Sequence, residues 1–199
     1  MKLGLLGGTF DPVHYAHLFI AEAARVELHL DRVLFLPTRL VHHREVAQAS
    51  TPERLTMLRG AIAPNPFFAI DETDLADDAT GYTADLMPKL RARFLNDHLT
   101  FIVGGDSLLD SPWQRFGDVL ANLDAFVIAP RAEKRVDRLH GFLATLDAAA
   151  REKITLLDLP PLTTSATLVR SQIARGGSIR YLVPDFVARY VAERGLYAR

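Results

Sequence analysis

The sequence predicts an α/β protein with a doubly wound, Rossmann-like parallel sheet and helices on both faces. Short runs rich in leucine and β-branched residues alternate, about six times, with longer stretches whose apolar residues recur near a 3.6 period. The 199 residues are 49% apolar and 24% charged, a balance that buries a continuous core and is far from that of a disordered chain. The first apolar run leads through two glycines into a helical pattern, the place where an α/β sheet holds a phosphate.

Residues 2–6 read as the first strand, and residues 15–28 carry the first helical period. The second strand is expected at 32–36, followed by a polar loop over 39–52 and a helix over 52–63. A third strand at 67–71, a polar loop at 74–81 and a helix at 83–95 come next. Strands at 99–103 and 125–129 follow, then a charged connection over 129–138 and one helix over 136–151. The last strand is expected at 154–157, with helices at 166–174 and 184–194; Ser165 suits an N-cap, and Pro184-Asp185 suits a first turn. No linker divides the chain, so residues 1–199 are expected to form a single domain.

Charge and composition exclude several functions. With 23 basic and 24 acidic side chains the formal charge is −1, which argues against a generic nucleic-acid-binding surface. There is no cysteine, hence no disulfide, thiolate metal site or cysteine nucleophile. The N-terminal apolar stretch is too short and glycine-rich for a secretory signal, and no segment approaches the roughly 18 apolar residues of a membrane span. A cytoplasmic protein is expected.

The segment Gly7-Gly8-Thr9-Phe10-Asp11-Pro12-Val13-His14-Tyr15-Ala16-His17 lies at the expected phosphate site. Glycines let backbone N–H groups approach an anion, and the helix start adds a favourable dipole. Neither G-x-G-x-x-G nor G-K-[ST] is present, which disfavours a Rossmann dehydrogenase and a P-loop enzyme. His14 and His17, three residues apart, share a helix face; each can donate to a phosphate oxygen, and a protonated ring can offset charge on a leaving pyrophosphate. Zinc would need a third ligand, for which His42 and His43 are the nearby histidines, and no metal-ligating set is assigned. A second anion site is expected where Thr163, Thr164, Ser165 and Thr167 open a helix bearing Arg170. The two sites would converge if the first and last strands end at one crevice.

Gly7-Gly8-Thr9-Phe10-Asp11-Pro12-x-His14-x-x-His17 resembles the signature of the nucleotidyltransferase superfamily with paired histidines, in the form most similar to bacterial nicotinate-nucleotide adenylyltransferases. The family usually reads H-x-G-H, where this chain has Ala16. Residues 165–170 are similar to the family's I-S-S-T-x-I-R motif at Ser165, Thr167 and Arg170, with Ala166 replacing a serine. His43-Arg44 fit the H-K of a P-P-H-K stretch that holds the mononucleotide phosphate, Val41 and His42 replacing the prolines; arginine keeps the charge and adds a bidentate fork. Arg54 stands where the family also has arginine. Tyr82-Thr83-x-Asp85 resembles S-Y-T-x-D, Gly104-Gly105-Asp106-Ser107 resembles G-A-D-S, and Ala129-Pro130-Arg131 matches an A-P-R stretch near adenine and phosphates.

The resemblance implies adenylyl transfer from ATP to nicotinate mononucleotide, with catalysis by His14, His17 and Arg170. ATP would be held by Gly7, Gly8, Thr9, Phe10, His14, His17, Gly104, Asp106, Arg131, Ser165, Thr167 and Arg170. The mononucleotide would be held by His43, Arg44, Tyr82, Thr83, Asp106 and Trp113, the indole stacking on the pyridine. Mg²⁺ would be bound mainly through the ATP phosphates. The partners expected are these two nucleotides, with a homodimer allowed and neither nucleic acid nor membrane. A relative acting on nicotinamide mononucleotide or phosphopantetheine, or a non-catalytic nucleotide-binding regulator, is the alternative; the regulator would not need both histidines and the distal arginine.

Overall fold

The computed structural model describes residues 1–40, 47–110, 113–130, 136–160 and 162–198, with 106, 110, 136 and 137 described by their backbone only. Six parallel strands form one sheet: β1 (Lys2–Gly8), β2 (Arg32–Pro37), β3 (Phe68–Ile70), β4 (His98–Gly104), β5 (Ala125–Ala129) and β6 (Ile154–Leu156), in the order β3-β2-β1-β4-β5-β6. The chain winds outward from β1 to β3 and then returns to lay β4 against β1's other edge. The strand order therefore reverses between β1 and β4, the position where doubly wound sheets form a binding crevice beyond the C-terminal strand ends.

Each face of the sheet carries its own apolar layer. On one, Leu6, Phe35, Ile102 and Val127 pack with α1 (Tyr15–Glu27), α2 (Thr51–Ile62), α8 (Ala166–Ala174) and α9 (Asp185–Arg194). On the other, Leu3, Leu5, Leu34, Phe101, Phe126 and Ile128 pack with α3 (Thr83–Arg93), α5 (Phe116–Ala121) and α6 (Val136–Ala144). Side chains alternate across a strand, which is why Leu5 and Leu6 fall in different layers. Gly60 on α2 admits the Phe186 ring of α9 so closely that a Cβ would lie 2.0 Å from it; this seats the C-terminal helix against α2.

The strand and helix order follows the sequence expectation, with corrections at the ends and in the connections. Gly7 and Gly8 are not a loop after β1; they are its last two residues, paired with Leu36 and Pro37. The single helix expected over 136–151 is two, α6 and α7 (Ala148–Glu152), because Asp147 caps the second through its carboxylate on the Ala150 amide (2.8 Å). α4 (Gly105–Asp110) and α5 were not expected, each being six residues long and below the length at which periodicity can be read. Thr73–Leu75 adds a 3₁₀ turn inside an expected loop, and Pro184 is the N-cap of α9 rather than its first helical residue.

Candidate active site

The crevice is built around the turn that joins β1 to α1. Phe10 takes a left-handed backbone conformation (φ 52°), and the Asp11–Pro12 peptide is cis. The Phe10 ring is buried beneath Gly8, where a Cβ would come within 3.0 Å of it, and meets the His17 ring edge-on at 5.0 Å. The side chain expected among the ATP contacts thus packs against His17. Gly8 is small because it clears space for that ring.

His14 is the N-cap of α1, and its ring stacks on that of His17, with centroids 3.7 Å apart and planes at 22°. Sequence spacing placed the two rings on one face, and they are in contact. They are not equivalent, since His14 is only 1% exposed while His17 is half-buried. The His14 amide donates to His17 Nδ1 (3.3 Å), the return half of a capping box. With Nδ1 accepting, the neutral ring carries its proton on Nε2, and a doubly protonated ring would set two donors against each other.

The two expected anion segments do meet, although β6 lies at the sheet edge and β1 at its centre. The connection after β6 returns over the sheet, with Leu157, Leu159 and Leu162 packed in the same layer as α1. Ser165 caps α8 by accepting the Leu168 amide (3.1 Å), and Thr167 is exposed in its first turn. From α8, Arg170 Nη1 donates to the Asp11 carbonyl (2.8 Å). The arginine therefore stands at the turn that follows the paired glycines of β1, the glycine turn, 159 residues away in sequence.

Two more side chains complete the support, and both lay outside the expected binding set. Arg54 is 2% exposed; its Nη1 donates to the Thr9 carbonyl (2.6 Å) and its Nη2 to Thr51 Oγ1 (3.0 Å). Burial lowers its pKa, opposed by the nearby Asp11 charge. Asp11, 4% exposed, accepts the Gln48 amide on Oδ2 (2.8 Å), and on Oδ1 the Ala49 amide (3.1 Å) and the Tyr197 hydroxyl (2.7 Å). The only sequence signal for Asp11 was its place in the resembling motif. Tyr197 had none, being a lone polar group past the last helix.

Across the sheet edge, Tyr82 is the N-cap of α3 and Thr83 its first residue, both half-buried. Asp85 takes the Thr80 hydroxyl (2.6 Å) and pairs with Arg115, and these two donors, the hydroxyl first, hold its carboxyl below the ordinary value. That pair ties the first turn of α3, which begins at Thr83, to Arg115, the residue that enters α5. The indole is half-buried, edge-on to Phe101, Phe116 and Phe126, and its Nε1 donates to the Ser107 carbonyl (3.1 Å). The Phe101 ring in turn lies beside Gly7, linking this layer to the glycine turn. Gly104 ends β4, next to β1, and Asp106 lies in α4. His43, Arg44 and Arg131 lie outside the described residues, as do Val41 and His42.

Comparison with known proteins gives the class first. A model of the cytidylyltransferase-like family matches residues 5–172. Curated relatives narrow it: a probable nicotinate-nucleotide adenylyltransferase of Exiguobacterium sibiricum is 36% identical over 199 residues, covering 100% of both chains. One of Thermomicrobium roseum is 39% identical, covering 98% of this chain and 91% of its own. The chain belongs to the cytidylyltransferase-like family and, within it, to the nicotinate-nucleotide adenylyltransferases. Plasmodium falciparum nicotinic acid mononucleotide adenylyltransferase, solved with NaAD, shares the fold with a TM-score of 0.77 at 17% identity, covering 98% of this chain and 97% of that one.

Proposed function

We propose that this protein transfers the adenylyl group of ATP to nicotinate mononucleotide, releasing pyrophosphate and forming nicotinate adenine dinucleotide in NAD biosynthesis. The reading rests on one juxtaposition above all: Arg170, delivered from the far end of the chain, bonds the carbonyl of the turn that carries the stacked His14–His17 pair. The curated relatives carry the name of this activity, and one solved neighbour is complexed with NaAD.

The acceptor phosphate is already ionised, so the reaction needs neither a general base nor a covalent intermediate. Rate enhancement then comes from aligning that oxygen with the α-phosphorus and from stabilising charge on the α and leaving phosphates. We assign His17 Nε2–H as a donor to those oxygens, His14 as the ring that orients it, and Arg170 as the cation at the phosphates. Gly7, Gly8, Thr9, Gly104, Asp106, Arg131, Ser165 and Thr167 are assigned to the ATP side, and Phe10 to holding His17. Thr83 and Tyr82, with Trp113 and Asp106, are assigned to the pyridine nucleoside, and His43 and Arg44 to its phosphate. Among the described residues no three His, Asp or Glu side chains gather into a metal-binding group. Mg²⁺ is assigned, as in the resembling family, to the triphosphate and its waters, where it would neutralise phosphate charge. We take residues 1–199 as one transferase domain acting in the cytoplasm; no helix among the described residues is long and apolar enough to cross a membrane.

The test is pyrophosphate release from ATP with nicotinate mononucleotide, nicotinamide mononucleotide or phosphopantetheine offered in turn, alongside the fluorescence of Trp113, the chain's one tryptophan. Fastest release with nicotinate mononucleotide, and quenching by that acceptor, are expected. Release only with another acceptor changes the substrate, and none with any of them favours a nucleotide-binding regulator.

A further inference from the structure

The Asp11 carboxylate is almost wholly buried at the turn between β1 and α1, and every polar oxygen of that residue is engaged. Two backbone amides, from Gln48 and Ala49, and the Tyr197 hydroxyl donate to its carboxylate. The Arg170 guanidinium donates to its carbonyl. A buried carboxylate is costly unless its hydrogen-bonding capacity is met, and a residue held through both side chain and backbone cannot rotate without breaking several of these bonds together. The carbonyl that seats Arg170 is therefore fixed from the opposite side by whatever fixes the carboxylate.

Among the described residues, Tyr197 supplies the one side-chain donor to that carboxylate. It sits beyond α9, after Gly195 has ended the helix in a left-handed turn, and its own backbone is left-handed as well (φ 64°). α9 is seated on α2 through Phe186 and Gly60, so the hydroxyl arrives from a braced element. Burial and the bond to Asp11 raise the tyrosine pKa, and the hydroxyl stays a donor across the working pH range. The charges of Arg170 and Arg54 both act on this tyrosine, which places it in the same electrostatic group as the catalytic arginine.

We propose that Tyr197 and Asp11 form a positioning pair: the C-terminal tyrosine, through the buried carboxylate, fixes the glycine turn and the carbonyl on which Arg170 is seated for phosphate-charge stabilisation. This rests on the reading of the crevice as an adenylyl-transfer site. Neither residue touches the reacting atoms, and both act through Arg170 and the turn.

Tyr197→Phe keeps the ring and removes only the hydroxyl. Its kcat is expected to fall roughly tenfold, the scale of a small misplacement of a catalytic group, with the KM values for both substrates within about threefold and a thermal midpoint close to wild type. In an Asp11→Ala background, which removes the acceptor, the same change is expected to lower kcat no further, because the pair acts as a unit. If Tyr197 only packs the C-terminal segment, the phenylalanine variant turns over at the wild-type rate and only Tyr197→Ala loses activity, by melting earlier; that result overturns the proposal, as do additive losses in the double variant. If the wild-type protein releases no pyrophosphate with any acceptor, the transfer reading fails by itself. The positioning pair is then judged by hydrogen exchange at the Gln48 and Ala49 amides, faster in Tyr197→Phe if the pair is real and unchanged if it is not.

Discussion

At the scale of single residues, His17 is the partly exposed member of a stacked pair whose other ring is buried, and its tautomer is set by a backbone amide. A preorganised donor of this kind acts where charge develops rather than on ground-state binding. His17→Ala is expected to lower kcat by about 10²–10³-fold while ATP affinity, measured by calorimetry, changes far less. Near-normal turnover would remove His17 from the mechanism. The closeness of the two histidine rings was legible from their spacing, whereas Arg170 was singled out by the resembling motif. Arg54, Asp11 and Tyr197 were not legible as a group, since their bonds join residues 45 and 186 positions apart and no local pattern records such a meeting.

At the scale of elements, the strands were legible because runs such as Phe126-Val127-Ile128 are buried on both faces and leave no polar alternation to misread. Short helices were not: α4 and α5 hold fewer than two turns each, and the break between α6 and α7 rests on one capping aspartate. The ion pair between Asp85 and Arg115 joins one of these short helices, α5, to the longer α3 at the proposed pyridine site. Exposed pairs of this kind contribute about 1 kcal/mol or less, so Asp85→Asn should barely move the melting temperature. Its expected effect is on recognition: the KM for the acceptor rises roughly three- to tenfold as the starts of α3 and α5 lose their fixed spacing, while the KM for ATP holds. An unchanged acceptor KM would separate Thr83 and Trp113 from the acceptor.

At the scale of the whole molecule, the near-zero net charge hides a skewed choice of cation, 19 arginines to 4 lysines. Several arginines and lysines serve as partners for surface carboxylates. Glu22 beside Arg25, Glu53 beside the Ser50 cap, Asp78 beside Lys89 and Asp85 beside Thr80 and Arg115 are all held below their ordinary values of 3.8–4.5. A carboxyl lowered by folding stabilises the native state fully above its unfolded value and loses that contribution as pH falls through the folded one. Melting temperature is therefore expected to be level from about pH 5 to 7 and to decline below about pH 4. A maximum at pH 3 would contradict these shifts.

The bonds at Asp11 also bear on how the chain acquires its competence. The glycine turn precedes both of its distant partners in the chain, so its carbonyl waits for Arg170 and its carboxylate for Tyr197. Closing contacts across such separations carries the largest loop entropy in the fold. A nascent chain that has completed β1, α1 and even the whole sheet still lacks the last of these bonds. Assembly of the proposed centre thus depends on folding from the turn after β1 through to Tyr197, and a fragment that stops before Tyr197 lacks the last of its bonds.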